Sequence, residues 1–326
     1  MRSLLRVAVV LAGVLLWDAA FTPACAQTYP ARPLRLIVPF GAGTATDLVA
    51  RHVGFGLANE LGQPVAVENR PGGGGMIGAE VVAKSAPDGY TIIMGTSASH
   101  ATSVSLFKKV PFDPIADFAP IARISIFPAV LVVHESIPAG TVAELIAYAK
   151  ARPGQLNYAT SGPGSQNHLQ AAMLAVTAGL QVTHVPFKDA GQIFGAIGRG
   201  EVAFMFYPFS ALGPVIQGGK VKVLASTGEK RSPLTPNAPT MMEAGFPELT
   251  LSGWNALYAP AGTPADIINR LNAATGRALE NAEMRAKLGA LGVDLAFGSP
   301  QELAAFTRAE IERYRKLIAV AQLKVE

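Results

Sequence analysis

The sequence predicts an α/β protein of two lobes around a cleft, and three observations carry that reading. A unit made of a short β-rich run, a Gly/Ser/Thr turn and an amphipathic helical stretch repeats along most of the chain. Three such βα steps fall within about 65 residues, which argues for a parallel sheet covered on both faces. Two proline-containing segments, Lys109 to Arg123 and Ser232 to Pro247, interrupt the series. A chain that leaves one lobe, builds a second and returns has two such crossings and a hinged cleft between them.

Leu34 to Phe40 reads as the first strand, Gly41 to Ala45 as a turn, and Thr46 to Leu61 as a helix with Leu48, Val49, His52, Val53, Leu57 and Leu61 near one face. Val65 to Val67 is the second strand, Pro71 to Gly75 a glycine turn, Ile77 to Lys84 a helix and Thr91 to Gly95 the third strand. Gly72 to Gly75 reads equally as a flexible lip of the cleft or as a plain turn. The second series has strands at Ala129 to Val133, Leu156 to Ala159, Thr183 to Phe187, Val202 to Phe206 and Val221 to Ala225. Its helices are Val142 to Ala151, Ser165 to Ala178 and Ala190 to Ile197. Leu251 to Tyr258 is strand-like and holds Trp254 as a packing residue. Helices follow at Ala265 to Asn281, Ala282 to Leu291 and Pro300 to Ala321, with Thr263-Pro264 and Ser299-Pro300 as starts for the first and last. Lobe one is expected from 27 to 125 plus 250 to 326, and lobe two from 126 to 249.

The 326 residues are 50% hydrophobic and 15% charged, with net charge +4 and basic residues dispersed, which argues against a nucleic-acid groove. The mean hydropathy of +0.31 has a partial source in residues 1–26. Arg2 and Arg6 form a basic start, Val7 to Trp17 an apolar core, and Ala24-Cys25-Ala26 a small-x-small cleavage site. This is a secretory signal peptide, too short to span a bilayer, which needs about 20 apolar residues. The mature chain is expected to be soluble and exported. Cys25 is the only cysteine. The alternative that it is a lipid-anchored first residue lacks the Leu-like residue expected in Thr22-Pro23-Ala24. A mature chain beginning at Gln27 has no thiol, disulfide or cysteine metal site.

Gly41-Ala42-Gly43-Thr44-Ala45-Thr46-Asp47 follows a strand and opens a helix, where amide N–H groups and the helix dipole converge on an anion. It begins like a dinucleotide fingerprint, but Thr46 stands where the third glycine belongs, and no Gly-Lys-Ser/Thr follows for a P-loop. A plain βα turn with Asp47 as a first-turn acid is the structural alternative. Thr160-Ser161-Gly162-Pro163-Gly164-Ser165 holds the same place in the second series. Two such turns facing across a cleft would grip an organic acid from both sides. Thr96 and Ser97, after the third strand, add a further polar wall. Tyr207 sits at a strand's carboxyl end, where ligands of open α/β sheets collect, with a surface aromatic as the alternative.

The five histidines, at 52, 100, 134, 168 and 184, form no metal-binding pair. His52 and His184 read as packing residues. No Gly-x-Ser-x-Gly elbow occurs. A triad assembled from Ser97, His100 or His168 and Asp47 stays open at this level.

The segments LRLIVPFGAGTATD, GQPVAVENRPGGGGMIGAE, APDGYTIIMGTS, VPFDPIADFAPI, LNYATSGPGS, HVPF and LYAPAGTP strongly resemble the Bug receptors, the substrate-binding proteins of tripartite tricarboxylate transporters. The match covers essentially the whole mature chain. The resemblance implies a type 2 periplasmic-binding fold in the periplasm that closes on a small organic anion and delivers it to a two-subunit membrane permease. An orphan or sensory role is consistent with the same family, and a hydrolase or lyase acting on a small acid is the rival class. The resemblance also implies that a carboxylate is held largely by backbone amides and ordered water of the turns at Phe40 to Asp47 and Thr160 to Ser165. The expected ligand-binding set is therefore Phe40, Ala42, Gly43, Thr44, Ala45, Thr46, Asp47, Thr96, Ser97, Thr160, Ser161, Gly162, Gly164, Ser165 and Tyr207, with no metal and no cofactor. The protein is expected to be a monomer. Two departures matter: hydroxyls replace part of the family's first turn, and Tyr207-Pro208 stands where an acid and a polar residue are common. The first implies that hydroxyls bind directly what relatives bind through water; the second removes a partner for an ammonium and points to a non-amino-acid mono- or dicarboxylate with an apolar or aromatic body.

Overall fold

The structure, a computed structural model, describes residues 29–321 and 323, and the signal-peptide reading of residues 1–26 lies outside them. The folded body begins at Arg32. Its elements are β1 (Leu34–Val38), α1 (Ala45–Leu61), β2 (Val65–Asn69), α2 (Met76–Ala83), β3 (Thr91–Thr96), α3 (Ser103–Leu106), β4 (Phe118–Phe127), β5 (Ala129–His134), α4 (Val142–Lys150), β6 (Leu156–Thr160), α5 (Gln166–Ala178), β7 (Val182–Pro186), α6 (Ala190–Gly198), β8 (Phe204–Pro208), α7 (Phe209–Gln217), β9 (Val221–Ser226), β10 (Gly253–Pro260), α8 (Ala265–Glu280), α9 (Ala282–Ala290), β11 (Asp294–Leu295) and α10 (Pro300–Ala321).

The strands form two sheets, ordered β11-β4-β10-β3-β1-β2 and β7-β6-β8-β5-β9. β1 runs parallel to β2 and β3, and β6 parallel to β7 and β8, as the βα repeats require. The expectation of parallel sheets holds only for these strands. β10 is antiparallel to β3 and β4, and β5 is antiparallel to β8 and β9. These strands follow the crossings between sheets, so no βα crossover sets their direction.

The first crossing also differs from the sequence reading. The sequence makes Lys109 to Arg123 a crossing, yet its second half enters β4, and the chain passes to the second sheet at Pro128. Pro120 disguised the strand. It faces Tyr258 at a register shift, where a missing N–H is tolerated. The return runs through residues 227–252. Helix α7 was hidden by Gly213-Pro214.

Thr44 caps α1, and Gly62 closes it in the left-handed conformation that terminates helices. In α10, Leu303, Thr307, Glu310, Ile311, Tyr314, Ile318 and Ala321 are buried at helical spacing. That face packs on β4 of the first sheet and α5 of the second, so one helix joins both lobes. Trp254 is buried, donates Nε1–H to Glu310 at 2.9 Å and packs edge-on against Phe306. Among the described residues no helix is long and apolar enough to cross a membrane.

Candidate functional site

The carboxyl ends of β1, β3, β6 and β8 lead into a cleft between the two sheets with about 490 Å³ of empty volume. A larger groove, about 1560 Å³, opens around Lys230, Arg231, Asp294 and Arg313. It lies where β4 ends and β10 begins, and no N-terminus of a described helix lines it, whereas the smaller cleft is faced by several.

Three helices open on the cleft: α1 through Ala45 and Thr46, α5 through Gln166 and Asn167, and α7 directly after Pro208. The first N–H groups of a helix have no intrahelical acceptor, and the helix dipole makes that end electropositive. Among the described residues the cleft lining has no charged side chain. An anion here meets amides and hydroxyls instead of a lysine or arginine.

Each turn is fixed from behind. Thr44 Oγ1 donates to Gly41 O at 2.8 Å. Asp47 Oδ2 accepts from Gly43 N at 2.9 Å and Arg51 Nε at 3.0 Å, and Oδ1 accepts from Asn69 Nδ2 at 2.8 Å. Asp47 is therefore a buried clamp on the first turn. Gly43 adopts φ +75°, a left-handed conformation that favours glycine. In the second turn, Gly162 and Gly164 have φ +105° and +78°. Gly162 N donates to Thr160 Oγ1 at 3.1 Å, and Ser165 Oγ donates to Gly162 O at 2.6 Å.

Two stacked imidazoles support this turn. His168 and His184 have ring centroids 4.1 Å apart, and Tyr158 stacks on His184. His168 Nδ1 accepts from Gly164 N at 3.2 Å, and His184 Nε2 lies 2.5 Å from Thr160 Oγ1. Burial pulls the His168 pKa down to about 4, with repulsion from His184 adding to it. Burial lowers His184 as well. The neutral His168 ring is the form that accepts from Gly164 N.

The lobes meet at the cleft floor. Ser97 Oγ, at the end of β3, donates to Gln166 Oε1 at 3.1 Å, and Tyr314 OH of α10 donates to the same oxygen at 2.6 Å. Tyr207 is fully buried with its hydroxyl bonded to Ser161, and burial pushes its pKa up to about 12.

Of the expected set, Phe40, Thr44, Ala45, Thr46, Thr96, Ser97, Ser161, Ser165 and Tyr207 line the cleft. Ala42, Gly43, Asp47, Thr160, Gly162 and Gly164 belong to the same turns but are not among the residues that line it. Sequence reasoning missed Ala98, Phe127, Gln166, Asn167, Gln170 and Pro208. Gln166 and Gln170, four residues apart on a helix opening at a glycine turn, were a usable signal. Phe127 was lost with β4.

A catalytic triad is not assembled. Ser97 bonds to an amide, His100 Nδ1 bonds to Ser99 Oγ at 2.8 Å, His168 accepts from a backbone amide, and Asp47 is held by Gly43, Arg51 and Asn69. Among the described residues no three His, Cys, Asp or Glu side chains cluster to hold a metal.

The chain matches the family model described as tripartite tricarboxylate transporter family receptor over residues 49–323. It is 35% identical to the protein BugT of Bordetella pertussis over 305 residues, covering 93% of this chain and 94% of BugT. A protein of R. palustris solved with adipate superposes with TM-score 0.87 at 35% identity, covering 91% of this chain and 99% of that one. MatC of Rhodopseudomonas palustris, solved with bound malate, superposes with TM-score 0.84 at 34% identity, covering 89% of this chain and all of MatC.

Proposed function

The chain belongs to the tripartite tricarboxylate transporter receptor family, and from that premise we propose that it captures a small organic carboxylate in the cleft between its sheets. The observation that carries this is the uncharged cleft faced by the helix N-termini of both lobes. A carboxylate oxygen set among the first-turn amides of α1 and α5 satisfies donors that the helices leave open. The Thr46 hydroxyl adds one more donor. Adipate and malate, carried by structural relatives, are chemical precedents.

The body of the ligand is in good part apolar and carries no ammonium. Phe40, Ala98, Phe127 and Tyr207 form the walls, and no acid lines the cleft to pair with a cation, because Asp47 is turned away onto Gly43 and Asn69. The lobes, divided near residues 125 and 250, move about the links at Pro128 and 227–252 and close on the ligand. In the cell the chain is exported by residues 1–26, cleaved after Ala26, works in the periplasm as a monomer and hands its ligand to a two-subunit membrane permease.

Thermal-shift screening against dicarboxylates, aromatic acids and amino acids, with native mass spectrometry of freshly purified protein, tests the reading. The largest stabilisation is expected from a carboxylate without an amine. A best response to an amino acid, or to no carboxylate, overturns it.

A further inference from the structure

Gln166 and Gln170 sit one turn apart on α5, and both line the cleft. Each points its amide nitrogen at the same carbonyl, Leu251 O, at 3.3 Å and 2.7 Å. A backbone carbonyl only accepts, so this contact fixes which atom of each amide is nitrogen and which is oxygen. The two oxygens then differ. Gln166 Oε1 receives Ser97 Oγ and Tyr314 OH. Gln170 Oε1 receives nothing, although the residue is fully buried.

Buried side-chain acceptors are paired in the great majority of cases, and one left open in a ligand cleft marks a place for a donor. No described side chain offers one. Thr227 Oγ1, at 3.5 Å, faces the nitrogen of Gln170, and it accepts from Ala129 N. The cleft has no lysine or arginine, and an ammonium on the ligand finds no acid. The donor that suits an uncharged, largely apolar site is a hydroxyl.

We propose that Gln170 is a specificity-determining residue, and that the ligand is a hydroxycarboxylate whose hydroxyl donates to Gln170 Oε1. The carboxylate lies at the helix N-termini and the hydroxyl at the α5 wall. This rests on the carboxylate reading above and narrows it. A site built around a substrate hydroxyl discriminates strongly against the analogue that lacks it, because the buried partner is then left unpaired.

The test is calorimetric titration of the full mature chain with pairs differing by one hydroxyl: succinate and malate, glutarate and 2-hydroxyglutarate, phenylacetate and mandelate. The tightest binder is expected to be a hydroxy acid, about tenfold or more above its deoxy partner, which corresponds to about 1.4 kcal/mol. In Gln170→Met the ratio of the two affinities falls to about one. A deoxy acid that binds wild type as tightly as its hydroxylated partner overturns the assignment of Gln170 and leaves the carboxylate reading standing. The wild-type comparison needs no variant, so a poorly folding Gln170→Met does not remove the test. A preference that survives in a folded Gln170→Met also overturns it. Failure of every acid to bind overturns the carboxylate reading, and the role of Gln170 with it.

Discussion

His168 couples the second turn to pH, and the size of the effect follows from its surroundings. Its folded pKa is about 4, against about 6.5 for a free histidine. The folded state therefore binds fewer protons than the unfolded chain between those values. The stability of the neutral ring is fully present above pH 6.5 and is lost as pH falls toward 4. At pH 5 the difference amounts to about 2 kcal/mol for this residue alone. The titratable groups facing it are His184 and Tyr158, and protonation of His184 adds to the loss. His168→Asn places an oxygen near the former Nδ1, where it still accepts from Gly164 N, but the side chain does not titrate. Urea unfolding followed by circular dichroism at pH 7 and pH 5 reads the result. Wild type is expected to lose about 2 kcal/mol more than the variant between the two pH values. Equal losses in both proteins refute the reasoning.

Three further outcomes follow from the turns. Asp47→Ala strips partners from Gly43 N and the Asn69 amide and is expected to cost about 2–3 kcal/mol in urea unfolding while weakening carboxylate binding. Unchanged stability would show that the clamp is idle. Thr46→Val keeps the shape of the side chain and removes its hydroxyl, and calorimetry should find carboxylate binding about threefold to tenfold weaker with the melting temperature preserved. Gly164→Ala forces a side chain into φ +78° and brings its Cβ to 3.0 Å from Leu106. The expected cost is about 1–3 kcal/mol, read as a melting temperature several degrees lower, and an unaltered melt contradicts the strain.

Much of the fold was legible because the βα repeats write themselves into the sequence. Apolar runs such as Leu34 to Val38 are followed within a few residues by a glycine turn and a helical period, and the structure starts α1 and α5 within one residue of expectation. What failed is non-local. β4 is a ten-residue strand whose partners, β10 and β11, come from the far end of the chain, and its proline and nearby aspartates read locally as a link. The crossing moved with it, and Phe127 went unnoticed. Within the site, the turns were visible from glycine and hydroxyl spacing. The roles of Asp47 and Thr160 were not, since both look like ligand contacts until Asn69 and His184 are seen occupying them. The glutamines were invisible as a pair because their shared partner, Leu251 O, is a backbone atom about eighty residues away.

The central claim is that a carboxylate is held by helix N-termini without a cationic side chain. A crystal structure with the tightest acid from the screen tests this directly. Carboxylate oxygens are expected about 2.7–3.2 Å from the amide nitrogens of Ala45 or Thr46, with the Thr46 hydroxyl as a further donor. An acid seated against a lysine or arginine, with those amides left open, would contradict the account.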